Sequence, residues 1–213
     1  MDKIRIPKYS LSEELINSIT HGIGALLSIA ALVLCIVNSS SSIAVVTSSI
    51  YGSILITLYI ISCIYHALSP KVKGKKVLRV IDRCNVHALV FGTYFPIAIC
   101  GIKGVEGIVI TCIIALLSIL GIVFSAIDVD KYSNISVICH LLSGWSSVLF
   151  YKILIKNIGI NGFNLILLGG IMYTVGSILY MIGAKKKYFH SIFHIFCLLG
   201  SFFHFMCIYL YVI

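Results

Sequence analysis

His190 and His194 stand four residues apart at the head of the last apolar stretch of the chain, directly behind Lys185, Lys186 and Lys187. On a helix that spacing is one turn, so both imidazoles reach a single point. Such a point suits a metal. Zinc takes nitrogen or sulfur ligands in a tetrahedral set, and two imidazoles supply half of one. The residues between them are Ser191, Ile192 and Phe193. None is the glutamate that serves as base in His-Glu-x-x-His enzymes, so further ligands and any general base must come from other parts of the chain.

Those other parts are membrane helices. At 213 residues, 60% hydrophobic and 11% charged, with a mean hydropathy of +1.09, the chain is too apolar for a soluble domain. It reads as an all-α, polytopic protein of the cell membrane. Runs near Asn17 to Val37, Ile43 to Leu68, Cys84 to Cys100, Gly107 to Ile127, Ile135 to Ile155, Phe163 to Ile182 and His190 to Ile213 are each long enough for a hydrocarbon core of roughly 30 Å. The expectation is a seven-transmembrane-helix bundle in one domain, residues 1–213, with a short basic arm at 1–12. The run from Ile23 to Val37 also has the length of a signal peptide, but no A-x-A site precedes the Asn38 to Ser42 tract, so it reads as a retained span.

A net charge of +9 would point to nucleic acid in a soluble protein; here topology accounts for it, and membrane lipids are the expected partners. With the N-terminus inside, the inner segments carry Lys3, Arg5, Lys8, Lys71, Lys73, Lys75, Lys76, Arg79, Arg83, Lys131, Lys185, Lys186 and Lys187, against Lys103, Lys152 and Lys156 outside. Positive residues flanking spans stay cytoplasmic, which predicts N-terminus inside and C-terminus outside.

This arrangement brings chemistry to one leaflet. The second span ends Ser62-x-x-x-His66 before Pro70, and Asp82 opens the third at the same face as His190 and His194. Ionisable groups within spans are costly and usually face a functional interior. Glu14, Asn17 and His21 lie near that face and are candidates to support the site from behind. Arg83 is expected to be a headgroup or loop charge. His204 lies ten residues past His194, about 15 Å deeper, and it, His87 and His140 read as buried, hydrogen-bonded histidines. The eight cysteines form no C-x-x-C and read as small apolar residues. Gly24 with Ser28, and Gly169, Gly170, Gly176 and Gly183, suggest close helix contacts. Gly92-Thr93-Tyr94-Phe95-Pro96 suggests a kink, and Tyr209 and Tyr211 suggest interfacial anchors.

The chain resembles the hemolysin III family, within the progestin and adipoQ receptor superfamily. The likeness runs through Glu13-Glu14-x-x-Asn17-x-x-Thr20-His21-Gly22-x-Gly24, Ser62-x-x-x-His66, Asp82, Gly92-Thr93-Tyr94-x-Pro96, Gly144-Trp145, Gly169-Gly170 with Tyr173, and His190-x-x-x-His194 followed by His204-Phe205. The resemblance implies seven helices, a cytoplasmic N-terminus and a zinc ion held by His66, His190 and His194, accompanied by Ser62 and Asp82. Arg83 departs from the pattern, which has histidine after the aspartate. Three functions follow as expectations: a zinc hydrolase of lipid amides or esters, with Asp82 as base and Ser62 orienting water or an oxyanion; a receptor or sensor of membrane state with a structural zinc; and a pore-forming cytolysin, suggested by the family name alone.

Overall fold

The computed structural model describes residues 4–183 and 186–213; Lys3 and Lys185, which entered the charge argument, lie outside them. Among the described residues seven α-helices follow one another: α1 Leu11–Asn38, α2 Ser42–Ala67, α3 Gly74–Pro96, α4 Gly104–Ile127, α5 Ser133–Leu149, α6 Tyr151–Gly183 and α7 Phe189–Tyr211. All except α5 are long and apolar enough to cross a membrane. The chain is a multi-pass membrane protein. Its surface is correspondingly apolar, with Leu26, Leu27, Leu116, Leu142 and Phe202 exposed where lipid replaces water. The interior holds many of the polar side chains, because helices in lipid gain from small and hydrogen-bonding residues at their contacts.

Local chemistry sets the helix ends that matter. Ser10 caps α1: its hydroxyl accepts from the Glu13 amide at 3.4 Å while the Glu13 carboxylate accepts from the Ser10 amide at 2.9 Å, a reciprocal capping box. The α2 helix stops at Ala67, two residues before the Ser69-Pro70 pair. Tyr188, just before α7, has φ 64°, a costly conformation for a bulky residue. Its amide donates to Glu13 Oε1 at 2.8 Å, so this bend is tied to the start of α1.

The structure departs from the sequence reading at several places. Helix α3 begins at Gly74 rather than near Cys84, so Lys75, Arg79, Asp82 and Arg83 are helical and share its register. The expected kink is a change of winding: α3 stays α-helical through Pro96 and then widens to a π-helical turn, Ile97–Ile102, closed by the Lys103 amide on the Ala98 carbonyl at 2.9 Å. The expected fifth span to Ile155 stops at Leu149; Phe150 breaks it, and the chain resumes as α6, itself bent at Gly159 with φ 72° and ψ 169°. At 17 residues, α5 is only about 25 Å long.

Glycines set the close packing around α7. A Cβ on Gly24 would lie 2.6 Å from Leu198 Cδ2, one on Gly176 3.2 Å from Phe196, and one on Gly183 2.9 Å from the His190 amide nitrogen, whereas Gly170 faces open space. The apolar core runs through Tyr51, Leu55, Ile97, Ala98, Ile114, Leu154 and Ile208, nearer the end of the bundle where α1 finishes. At that end Tyr209 accepts a hydrogen bond from Asn38 Nδ2 at 3.3 Å. At the opposite end α1, α3, α5 and α7 begin, joined by Arg5–Asp130, Lys75–Glu14, Arg83–Ser133 and Tyr188–Glu13 contacts. The described members of the larger basic set belong to that end.

Candidate metal centre

His66, from the last turn of α2, meets His190 and His194, from the first turns of α7, and all three are buried. One ring nitrogen from each lies within 4.8 Å of the others. His190 Nε2 is 3.4 Å from His66 Nε2 and 3.2 Å from His194 Nε2.

The His66 tautomer follows from its neighbour. Glu14 Oε2 is 2.6 Å from His66 Nδ1. A carboxylate can only accept, so Nδ1 carries the hydrogen and Nε2 presents its lone pair to the other two rings. Asn17 Nδ2, at 3.4 Å from the same Nδ1, is then a packing contact. Glu14 is held in turn by Lys75, whose Nζ donates to Glu14 Oε1 at 2.6 Å and to the Leu68 carbonyl at 2.7 Å. Lys75 is wholly buried, with its ammonium 5.1 Å from the centre of the Tyr65 ring. The result is a chain from ammonium through carboxylate to imidazole, the arrangement that orients histidine ligands in metal sites.

The donor set fits a cation. His190 Nδ1 and His194 Nδ1 have no hydrogen-bond partner among the described residues, while the three Nε2 atoms converge. Convergent imidazole nitrogens without a proton between every pair repel one another, and a metal ion removes that repulsion. His21 stacks on His194 with ring centres 3.6 Å apart, and Tyr9 stacks on His190 at 4.8 Å. These rings shield the triad from two sides. Burial raises the Tyr9 phenol above its ordinary pKa, so it meets the triad as a neutral ring.

Ser62 and Asp82 line a cleft together with His21, His194 and Tyr180. Ser62 is buried and Asp82 half-buried. Arg83 differs from expectation: its guanidinium lies 4.3 Å from the centre of the Tyr180 ring and donates to Ser133 Oγ at 2.9 Å, because the earlier start of α3 turns it inward along the same cleft. His87 bonds Ser136 Oγ at 2.8 Å and His204 bonds the Ile166 carbonyl at 3.2 Å, both apart from the triad. His140 lines the far side of the cleft. Sequence reasoning missed Lys75 and Tyr9. Among Lys71, Lys73 and Lys76, Lys75 looks like one more loop charge; its spacing of four from Arg79 was the available signal.

Comparison with known proteins identifies the family. A family model described as "Haemolysin-III related" matches residues 9–205. The chain belongs to the hemolysin III family. It is 37% identical over 207 residues to "Hemolysin-3" of Bacillus cereus, covering 95% of this chain and 93% of that protein. It is also 37% identical over 206 residues to "Hemolysin-3 homolog" of Bacillus subtilis (strain 168), covering 95% and 96%. The matched region of this hemolysin III chain includes the triad, Glu14, Lys75, Ser62 and Asp82.

Proposed function

We propose that this hemolysin III chain is a zinc-dependent hydrolase of lipid amides or esters, acting at the cytoplasmic leaflet of the cell membrane. The observation that carries this reading is the convergence of His66, His190 and His194 at a cleft that His194 lines together with Ser62 and Asp82. Zinc–imidazole bonds of 2.0–2.1 Å in a tetrahedral set imply nitrogen separations of about 3.3–3.4 Å. The Nε2 separations of 3.4 and 3.2 Å are of that size.

Three histidine ligands leave a tetrahedral set one position short, as in catalytic sites. Zinc there would supply Lewis acidity toward water and a substrate carbonyl. The chain supplies the rest: the Asp82 carboxylate accepts the proton of the attacking water, and the Ser62 hydroxyl donates to the oxygen on which charge develops. Tyr9 and His21, stacked on the histidines, limit entry of bulk water. The cleft lies among helix faces, a setting that suits a lipid carbonyl better than a peptide.

A structural metal in a receptor or sensor is the second reading, favoured by the fact that the triad joins α2 to α7 with α1 bracing it through Glu14. The two readings diverge at Asp82→Asn. In the hydrolase the variant stays folded and metal-loaded but turns over ceramide-like or acyl-ester lipids about 10²-fold more slowly or worse, the scale of a lost general base. A broad lipid panel without metal-dependent turnover by the wild type, or full activity in Asp82→Asn, overturns the hydrolase.

A further inference from the structure

A second recess, which shares only Tyr180 with the cleft lined by Ser62 and Asp82, opens at the basic end of the bundle. Arg5, Lys8, Tyr9, Glu13, Arg79, Asp130, Tyr180, Lys186 and Lys187 are among its lining residues, and it encloses about 1420 Å³ including its open mouth. Its two carboxylates are already engaged. Asp130 takes both Arg79 guanidinium nitrogens, at 3.0 and 2.7 Å, and the Arg5 amide at 3.0 Å. Glu13 is bound by the Ser10 and Tyr188 amides. The side chains of Arg5, Lys8, Lys186 and Lys187 form no salt bridge among the described residues. The recess therefore gathers five cationic side chains, Arg5, Lys8, Arg79, Lys186 and Lys187, against the two carboxylates of Glu13 and Asp130, an excess of positive charge.

Its rim is apolar. Leu11 is 76% exposed, Met181 51%, and Val77, Ile81 and Ile182 are exposed as well. These residues lie in the first turns of α1 and α3 and the last turn of α6, the same helix segments that supply Glu13, Arg79, Tyr180 and Gly183 to the recess. Cations in a concave site, on helix segments that also present lipid-facing side chains, match a ligand with an anionic head and an acyl tail. Arginine and lysine pockets between helix ends bind such headgroups.

We propose that this recess binds the phosphate of an anionic lipid headgroup, with its acyl chains lying along the exposed faces of α3 and α6. The site does not depend on hydrolysis at the metal centre. The N-terminal arm forms one wall of the recess while its Tyr9 stacks on His190, so an occupied recess also holds that ring against the triad.

The test uses the full chain in nanodiscs containing equal phosphatidylglycerol and phosphatidylcholine, with bound lipid read by native mass spectrometry. The wild type retains phosphatidylglycerol in preference. The triple variant Lys8→Gln/Lys186→Gln/Lys187→Gln weakens that preference by up to about a hundredfold, from roughly fivefold per lysine near a membrane surface. The matched control Lys71→Gln/Lys73→Gln/Lys131→Gln removes exposed charges outside the recess and keeps the preference. Equal loss in both variants assigns the effect to general surface charge and overturns the site. Displacement of the lipid by millimolar inorganic phosphate or glycerol phosphate overturns the lipid assignment in favour of a free phosphate. No preference in the wild type overturns both.

Discussion

The relay from Lys75 through Glu14 to His66 makes a prediction in which metal affinity and stability separate. Glu14→Gln removes the carboxylate that accepts from His66 Nδ1 at 2.6 Å and from Lys75 Nζ at 2.6 Å. Loss of a partner behind a metal ligand typically costs 10–100-fold in affinity, about 1.4–2.7 kcal/mol. The same change leaves the Lys75 ammonium, fully buried, with neutral carbonyl acceptors only and no anionic partner. Breaking a buried pair from one side costs about 3–5 kcal/mol, and partial exposure of Glu14, at 13% of its side chain, places the expected loss at the lower end. Glu14→Gln/Lys75→Met removes both charges. Stability then recovers most of that loss, because no unpaired buried charge remains, while metal affinity stays low, because His66 still faces a neutral amide. Zinc affinity is read by competition with a chromophoric chelator in detergent, and stability by thermal melting of the metal-free protein. Wild-type zinc affinity in Glu14→Gln, or recovery of affinity together with stability in the double variant, refutes the orienting role.

Three further outcomes are expected. Reporter fusions after Ile213 should show alkaline phosphatase active and a cytoplasmic reporter silent, as the charge asymmetry requires; the opposite pattern reverses the topology. Gly169→Ala should destabilise by about 1–3 kcal/mol, since its Cβ would enter the His204 ring that the Ile166 carbonyl holds, whereas Gly170→Ala, facing open space, should leave the melting temperature unchanged or raised. Arg79 holds the Asp130 carboxyl below its ordinary pKa, so the stability it contributes is complete above the unfolded value near 3.9 and is lost as pH falls below it. Melting curves between pH 3 and 6 should show that acid loss in the wild type and a smaller one in Asp130→Asn.

The helices were legible because apolar runs of spanning length admit few alternatives in lipid, where the backbone must satisfy its own hydrogen bonds. His190 and His194 were legible for a related reason: a four-residue spacing on a certain helix fixes a shared direction. What hydropathy could not locate were changes within an apolar run. The break at Phe150, the wider turn after Pro96 and the bend at Gly159 alter winding without altering composition. Charged residues near span ends were hardest, because Lys75 and Arg83 look the same in sequence whether they meet water or fold inward. The start of α3 at Gly74 decides that question for both, and it is set by contacts with α1 and α5 that local sequence does not encode.

The distribution of buried polar groups gives the bundle a direction. Glu13, His21, His66, Lys75, Arg79, His190 and His194 are all buried toward the end where α1 begins. Deeper in, a hydroxyl chain links Tyr59 to Ser201 at 2.7 Å and Ser201 to Tyr173 at 2.6 Å, with His204 beside Tyr173, ring centres 5.4 Å apart. Beyond His204 the described interior buries no histidine, acid or basic residue, and Ile97, Ile102, Ile158 and Ile208 close it. A charged group passing that layer would lose its solvation with no ionised partner to offset the cost. A conducting pore through a single chain would therefore have to cross its most apolar section, which counts against that reading. In the proposed hydrolase, polar reactants would reach the triad from the basic end or from within the leaflet beside it. A lipid whose headgroup is held in the basic recess approaches from that same side, and its carbonyls lie just below the headgroup, at the depth where a cleft among the first turns of α3 and α7 could receive them.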